Sequence, residues 1–203
     1  LIWLYLLDTC DECGLWNVNW RLCSIMTGVE LSSAPVSMEH QLIKTNHEKV
    51  LCIKDFMPFQ YGNQASIKAH YYTTGEEIVK QKPNVTHFVA GLGTGGTLMG
   101  VGKRLKEHNP SIKIIATAPH PDDVVQGLRS IEHGYIPPIL DLDKLDGRIM
   151  VEAQESFFWT KKVMETHGLF VGVSSGATLA TCVKLSKRLE NSTIVTIFAD
   201  NGW

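Results

Sequence analysis

The stretch His87-Phe88-Val89-Ala90-Gly91-Leu92-Gly93-Thr94-Gly95-Gly96-Thr97-Leu98-Met99-Gly100 decides how this chain is read. An apolar strand runs into a turn of glycines and threonines, and the turn runs into a helix. Such a turn brings bare backbone N–H groups together, and the helix behind it aims the positive end of its dipole at the same spot. The Thr94 and Thr97 hydroxyls add donors. The assembly suits a phosphate. The plainer alternative is a glycine turn that only packs strand against helix.

Gly91-Leu92-Gly93-Thr94-Gly95-Gly96 also satisfies the dinucleotide pattern G-x-G-x-x-G. That pattern needs an acidic residue about 20 positions on, at the tip of the next strand, to grip a ribose. Here the next strand, Ile112 to Thr117, runs into Ala118-Pro119, and Asp122 and Asp123 come only later. A nucleotide-binding Rossmann domain is therefore disfavoured. No Gly-Lys-Ser/Thr follows the glycines, so a Walker-type loop fails too.

Composition sets the outer bounds. A chain of 203 residues, 44% hydrophobic and 20% charged, has the make-up of an ordinary globular protein. A net charge of −2 gives no long-range pull on nucleic acid or anionic lipid. Neither is expected as a partner. The five cysteines, Cys10, Cys13, Cys23, Cys52 and Cys182, are odd in number and irregularly spread, which fits a reducing, cytoplasmic setting. Cys10 and Cys13 have C-x-x-C spacing but no second pair of ligands, so no metal site is expected. The apolar run Leu1 to Leu7 is too short to span a membrane and lacks the marks of a signal peptide.

Past residue 25 the chain alternates strand and helix signals. Strands are predicted at 50–53, 86–90, 112–117, 149–151 and 193–199, with a strand-like lead over 169–173. The helices are placed at 69–80, 97–107, 152–166 and 175–189, with Tyr72, Ile78 and Val79 on the apolar face of the first. The stretch 122–146 reads as loop with short helical turns. Alternation of this kind predicts an α/β fold, a parallel twisted sheet with helices on both faces. Ligands of such sheets sit beyond the carboxyl ends of the strands. The glycine turns at 91–97 and 172–176 both fall there and are expected to face one pocket.

The second turn, Val171-Gly172-Val173-Ser174-Ser175-Gly176-Ala177, is a strand end, two hydroxyls and a helix start. Serine is a favoured helix cap, which is one reading of the pair. Taken with Gly93-Thr94-Gly95-Gly96-Thr97, however, the segment resembles the cysteine synthase and cystathionine β-synthase family of pyridoxal-phosphate enzymes, fold type II. Gln60-Tyr61-Gly62-Asn63 followed by Ala69-His70-Tyr71-Tyr72-Thr73-Thr74-Gly75-Glu76-Glu77-Ile78 is similar to that family's Q-[FY]-x-N … AHY-x-TT-G-x-E-I stretch. Gln126-Gly127-Leu128-Arg129 stands where the family has a substrate-side loop. Four motifs in the family's order cover roughly residues 50–203, closest to the cysteine synthase B-like branch.

The resemblance implies roles. Gly93, Thr94, Gly95, Gly96 and Thr97 would hold the phosphate of pyridoxal 5'-phosphate. Ser174 would meet the pyridine nitrogen, where a neutral hydroxyl leaves that nitrogen largely unprotonated and favours β-elimination. Gln60 would bind the amino-acid carboxylate, and Gly127 would line the substrate side. Arg129 would meet an anionic substrate group, or else pair with Glu132 as a solvated loop residue. Asp200 and Trp203 resemble the start of the family's A-D-x-G-W tail and would stand behind the contact residues.

The family's lysine, carried in an S-x-K-D-R type segment, and its T-S/G-G-N-T type loop have no counterpart here. Lys44 and Lys54 lack that context. No catalytic residue is therefore assigned. Residues 1–49 are expected to be a remnant or misread part of an N-terminal domain. Residues 50–203 are expected to form the cofactor-binding α/β domain, truncated at its C-terminus. The activity implied is β-replacement on O-acetylserine or O-phosphoserine with sulfide to make cysteine, with the chain inactive alone. A cystathionine β-synthase or a serine/threonine dehydratase is the alternative within the class. A non-catalytic ligand- or partner-binding remnant is the alternative outside it. A homodimer is expected, and exposed apolar surface should make the chain associate.

Overall fold

A computed structural model describes residues 15–17, 42–44, 50–53, 64–134 and 136–202. The chain divides into two compact units, Leu1–Gly62 and Asn63–Trp203. In the first unit, β1 (Leu15–Asn17), β2 (Leu42–Lys44) and β3 (Val50–Ile53) form an antiparallel sheet of order β1-β3-β2. The predicted strand at 50–53 is thus present, at the centre of that sheet.

The second unit opens on a continuous helical stretch, α1 (Gln64–His70), a π-helical segment (Tyr71–Gly75) and α2 (Glu76–Gln81). It starts five residues before the predicted helix. In the widened turn Thr73 Oγ1 donates to the Ala69 carbonyl at 2.8 Å. Ile78 is buried and Val79 half-buried as expected, but Tyr72 is 72% exposed. The π segment advances the following residues around the axis, which a plain 3.6-residue period does not anticipate.

A parallel sheet follows, built from β4 (His87–Gly91), β5 (Lys113–Pro119), β6 (Gly147–Val151) and β7 (Ile194–Thr196) in the order β6-β5-β4-β7. Register pairs His87 with Lys113 and with Ile194, and Ile115 with Gly147. Between the strands run α3 (Gly96–His108), α4 (Ala153–His167) and α5 (Val173–Ser186). Alternate residues of a strand point to opposite faces. Phe88, Ala90, Ile114, Ala116 and Ala118 therefore pack with Leu98, Val101 and Leu105 of α3 in one core. On the other face the Thr117 hydroxyl donates to Thr181 Oγ1 of α5 at 2.9 Å. Both faces are covered, and the α/β expectation holds.

Three local expectations need correction. β5 continues through Ala118 and Pro119 because β6 offers Met150 and Val151 as partners there. The lead over 169–173 is no strand; an isolated antiparallel bridge joins Val171 to Asn201, and α5 begins at Val173 rather than Ser175. The last strand, expected over 193–199, is three residues long, half-buried and at an edge of the sheet. Apolar residues beyond it leave the ladder, and Phe198 is exposed.

Candidate functional site

The turn after β4 is held open by contacts that exclude side chains. Gly95 has φ +93°, a left-handed conformation that side chains other than glycine adopt at a cost. A Cβ on Gly96 would collide with Ser66 Oγ of α1. A Cβ on Gly93 would lie 3.2 Å from the Gly127 carbonyl oxygen. No side chain caps α3, whose 13 residues start at Gly96, so its first N–H groups stay directed out of the turn.

Behind the turn lies a histidine relay. Thr97 Oγ1 is 3.1 Å from His70 Nε2, and His70 Nδ1 is 3.2 Å from Thr74 Oγ1. Burial lowers the His70 pKa and keeps the ring neutral, able to give one hydrogen bond and accept another. The expected phosphate ligand Thr97 is thereby anchored from the far side. His70 lay within a quoted motif, yet nothing in its spacing announced this contact, which depends on the close approach of α1 to Gly100.

The loop expected on the substrate side reaches the same place. The Arg129 N–H donates to the Leu92 carbonyl, and the Leu92 N–H donates to the Thr117 carbonyl, each at 2.7 Å. Gly127 has φ +85°, and a Cβ there would lie 3.2 Å from Ser174 Cβ. Gly93, Gly127 and Ser174, read as parts of one site, are thus brought into contact at the carboxyl ends of β4 and β5. Glu132 accepts from Ser130 Oγ at 2.7 Å and forms an ion pair with Arg148. Gln60, Lys54, Trp203, Cys10 and Cys13 lie outside the described residues.

At the start of α5, Asp200 does more than its position in the tail motif implied. Its Oδ2 accepts the Ser174 Oγ–H at 2.8 Å, and Oδ1 accepts the Ser175 N–H at 3.2 Å and the Ser175 hydroxyl. The carboxylate lies against Gly172, where a Cβ would collide with it. An anion at a helix N-terminus is stabilised by the dipole and the unpaired N–H groups. The second acidic residue set aside as a ribose ligand also caps a helix. Asp123 Oδ2 accepts the Ala153 N–H at 2.9 Å at the start of α4.

An uncapped glycine turn and a buried hydroxyl thus stand together at the carboxyl ends of the strands of an α/β domain. The chain belongs to the family of pyridoxal-phosphate dependent enzymes, whose family model matches residues 31–200. It is 46% identical over 149 residues to a cysteine synthase of Aquifex aeolicus, covering 70% of this chain and 46% of that protein. To a cysteine synthase B of Pseudomonas aeruginosa it is 37% identical, covering 70% of this chain and 48% of that one. The structure is similar to an O-acetylserine-dependent cystathionine β-synthase from Helicobacter pylori, with a TM-score of 0.64 and 34% identity, over 71% of this chain and 50% of that chain. It is also similar to a hydrogen sulfide-producing enzyme of Fusobacterium nucleatum, with a TM-score of 0.64 and 36% identity, over 71% and 47% of the two chains. The fold is that of the fold type II enzymes. The chain spans about half the length of the curated relatives it matches.

The residues present fit the cofactor this family uses. Leu140 and Ser66 crowd out side chains at Gly95 and Gly96, and no side chain caps α3, which leaves backbone N–H groups for a phosphate. No helix among the described residues is long and apolar enough to cross a membrane.

Proposed function

We propose that this chain supplies the cofactor-binding half of a cysteine synthase, which replaces the β-substituent of O-acetylserine or O-phosphoserine with sulfide. The single observation that carries the reading is the contact of Gly93, Gly127 and Ser174 at the sheet's carboxyl end. The names of the relatives support it.

Each residue contributes by position. Gly93 to Thr97 offer backbone N–H groups and hydroxyls to the cofactor phosphate, and the α3 dipole favours its charge. Ser174 would meet the cofactor's pyridine ring. The Gly127 loop would line the substrate side. Gln60 takes the substrate carboxylate, and Arg129 a substrate oxyanion. Bound pyridoxal phosphate supplies the electron sink for loss of the β-substituent.

A second reading has its own support in the Helicobacter pylori neighbour, whose name gives O-acetylserine as donor and cystathionine as product. The two differ only in the thiol accepted. A cytoplasmic homodimer is the expected setting for either.

Pyridoxal phosphate titrated into the chain, followed by absorbance and equilibrium dialysis, tests the site. Saturable binding that Thr97→Val weakens supports it; absence of binding overturns it. Assays with O-acetylserine or O-phosphoserine, and with sulfide or homocysteine, then separate the two readings.

A further inference from the structure

Thr97 has one hydroxyl proton and two neighbours that could claim it, an anion in the glycine turn and His70 behind. Its Oγ1 lies 3.1 Å from His70 Nε2, and His70 Nδ1 lies 3.2 Å from Thr74 Oγ1. Packing holds this line of atoms in place. A Cβ on Gly96 would meet Ser66 Oγ, and one on Gly100 would meet the Ile67 carbonyl and, at 2.8 Å, His70 Cβ. Helix α1 is thus pressed onto α3 on both sides of Thr97. His70 is the residue just before the π-helical segment and Thr74 lies within it, so the widened turn sets the distance between the two. The neighbouring Thr73 hydroxyl donates to the Ala69 carbonyl, as helical threonines commonly do, whereas that of Thr74 meets the imidazole.

We propose that Thr74 and His70 are positioning residues that aim the Thr97 hydroxyl at the bound phosphate: Thr74 donates to His70 Nδ1, His70 Nε2–H donates to Thr97 Oγ1, and the Thr97 proton is left for the anion. The proposal rests on the reading that the turn from Gly93 to Thr97 holds the cofactor phosphate. A phosphate dianion offers only acceptors, so a Thr97 hydroxyl that gave its proton to the ring would meet the anion lone pair to lone pair. With that proton on the phosphate, Oγ1 has to accept from the ring, which puts the ring proton on Nε2. Burial lowers the His70 pKa and keeps the ring neutral, so Nδ1 is bare and takes the Thr74 proton. Each donor polarises the next, and the line strengthens toward the charge. The phosphate thereby selects one tautomer of a histidine that stands behind its ligand.

Pyridoxine 5'-phosphate has no aldehyde, so its binding to the full chain reports ring and phosphate contacts alone. Long-range 1H–15N spectra of the 15N-labelled chain read the tautomer, with the His70 signals identified by their loss in His70→Gln. The expected result with ligand bound is a neutral ring protonated at Nε2. A ring protonated at Nδ1, at both nitrogens, or divided between the tautomers overturns the proposal and leaves cofactor binding intact. Equilibrium dialysis then separates aiming from general support of the fold. Thr74→Val should weaken binding roughly two- to five-fold, and Thr74→Ser should restore it. In a Thr97→Val background, Thr74→Val should change nothing further, because the hydroxyl it aims is gone. Equal weakening in both backgrounds, or an unchanged affinity in Thr74→Val, overturns the proposal. No bound ligand in the unaltered chain overturns the site reading as well. Should Thr74→Val not fold, the His70 tautomer in the unaltered chain decides.

Discussion

A methyl group at position 96 would enter the space held by Ser66 Oγ, and α3 cannot yield because Gly100 also lies against α1. Gly96→Ala should therefore destabilise the chain by about 1–3 kcal/mol, as overpacking does, visible as a lower thermal midpoint. His70→Ala tests a different contact. It leaves Thr97 Oγ1 without its partner, and a net hydrogen bond of about 1 kcal/mol corresponds to roughly five-fold weaker pyridoxal-phosphate binding by dialysis. An unchanged affinity would remove His70 from the site. The glycines and threonines of this turn were legible in the sequence because their chemistry lies in their identity and spacing. The roles of His70 and Asp200 were not, since each acts on a partner 27 or 26 residues away through a fold that spacing does not encode.

Between elements, the sheet and α5 are joined by a polar contact within an apolar layer. Thr117 and Thr181 are both fully buried and hydrogen-bonded to each other. Thr117→Val alone, or Thr181→Val alone, should cost about 1–3 kcal/mol by leaving a buried hydroxyl unpaired, while the double variant should recover most of that loss. Urea unfolding of the four forms reads the cycle. At the start of α4, Asp123→Ala removes a cap and should cost about 1 kcal/mol. The central strands and long helices could be read from the sequence, since an apolar period reports burial directly. Edges could not. β7 carries the same β-branched residues as an interior strand, and only the sheet order tells that its outer side is open. The π-helical turn at 71–75 escaped for a related reason, as its geometry changes no residue type.

Acid should weaken the whole second unit before it affects the carboxylates. Burial lowers the pKa of His70, and burial followed by the Lys113 charge lowers that of His87. The folded state then binds fewer protons than the unfolded one, whose histidines titrate near the ordinary value of 6.5. Their contribution is complete above that value and is lost as pH falls below it toward the lower folded values. The urea midpoint should therefore drop between about pH 7.5 and about pH 5, and replacing both histidines with Gln should flatten that slope. Burial also pushes the Cys182 thiol up to about 11, so it should react with thiol reagents only after unfolding.

The order of parts along the chain has a bearing on how such a protein is made. β4, which ends in the phosphate-type turn, pairs with β7, more than a hundred residues later. Ser174 and Ser175 receive Asp200 later still, after β7. A ribosome delivers these pieces in sequence. While β7 and Asp200 remain in the exit tunnel, one edge of the sheet stands bare and the first turn of α5 lacks its anion. Vectorial synthesis delivers β7 and Asp200 after the turns they complete, and a chain released before them would expose an unpaired strand edge to chaperones.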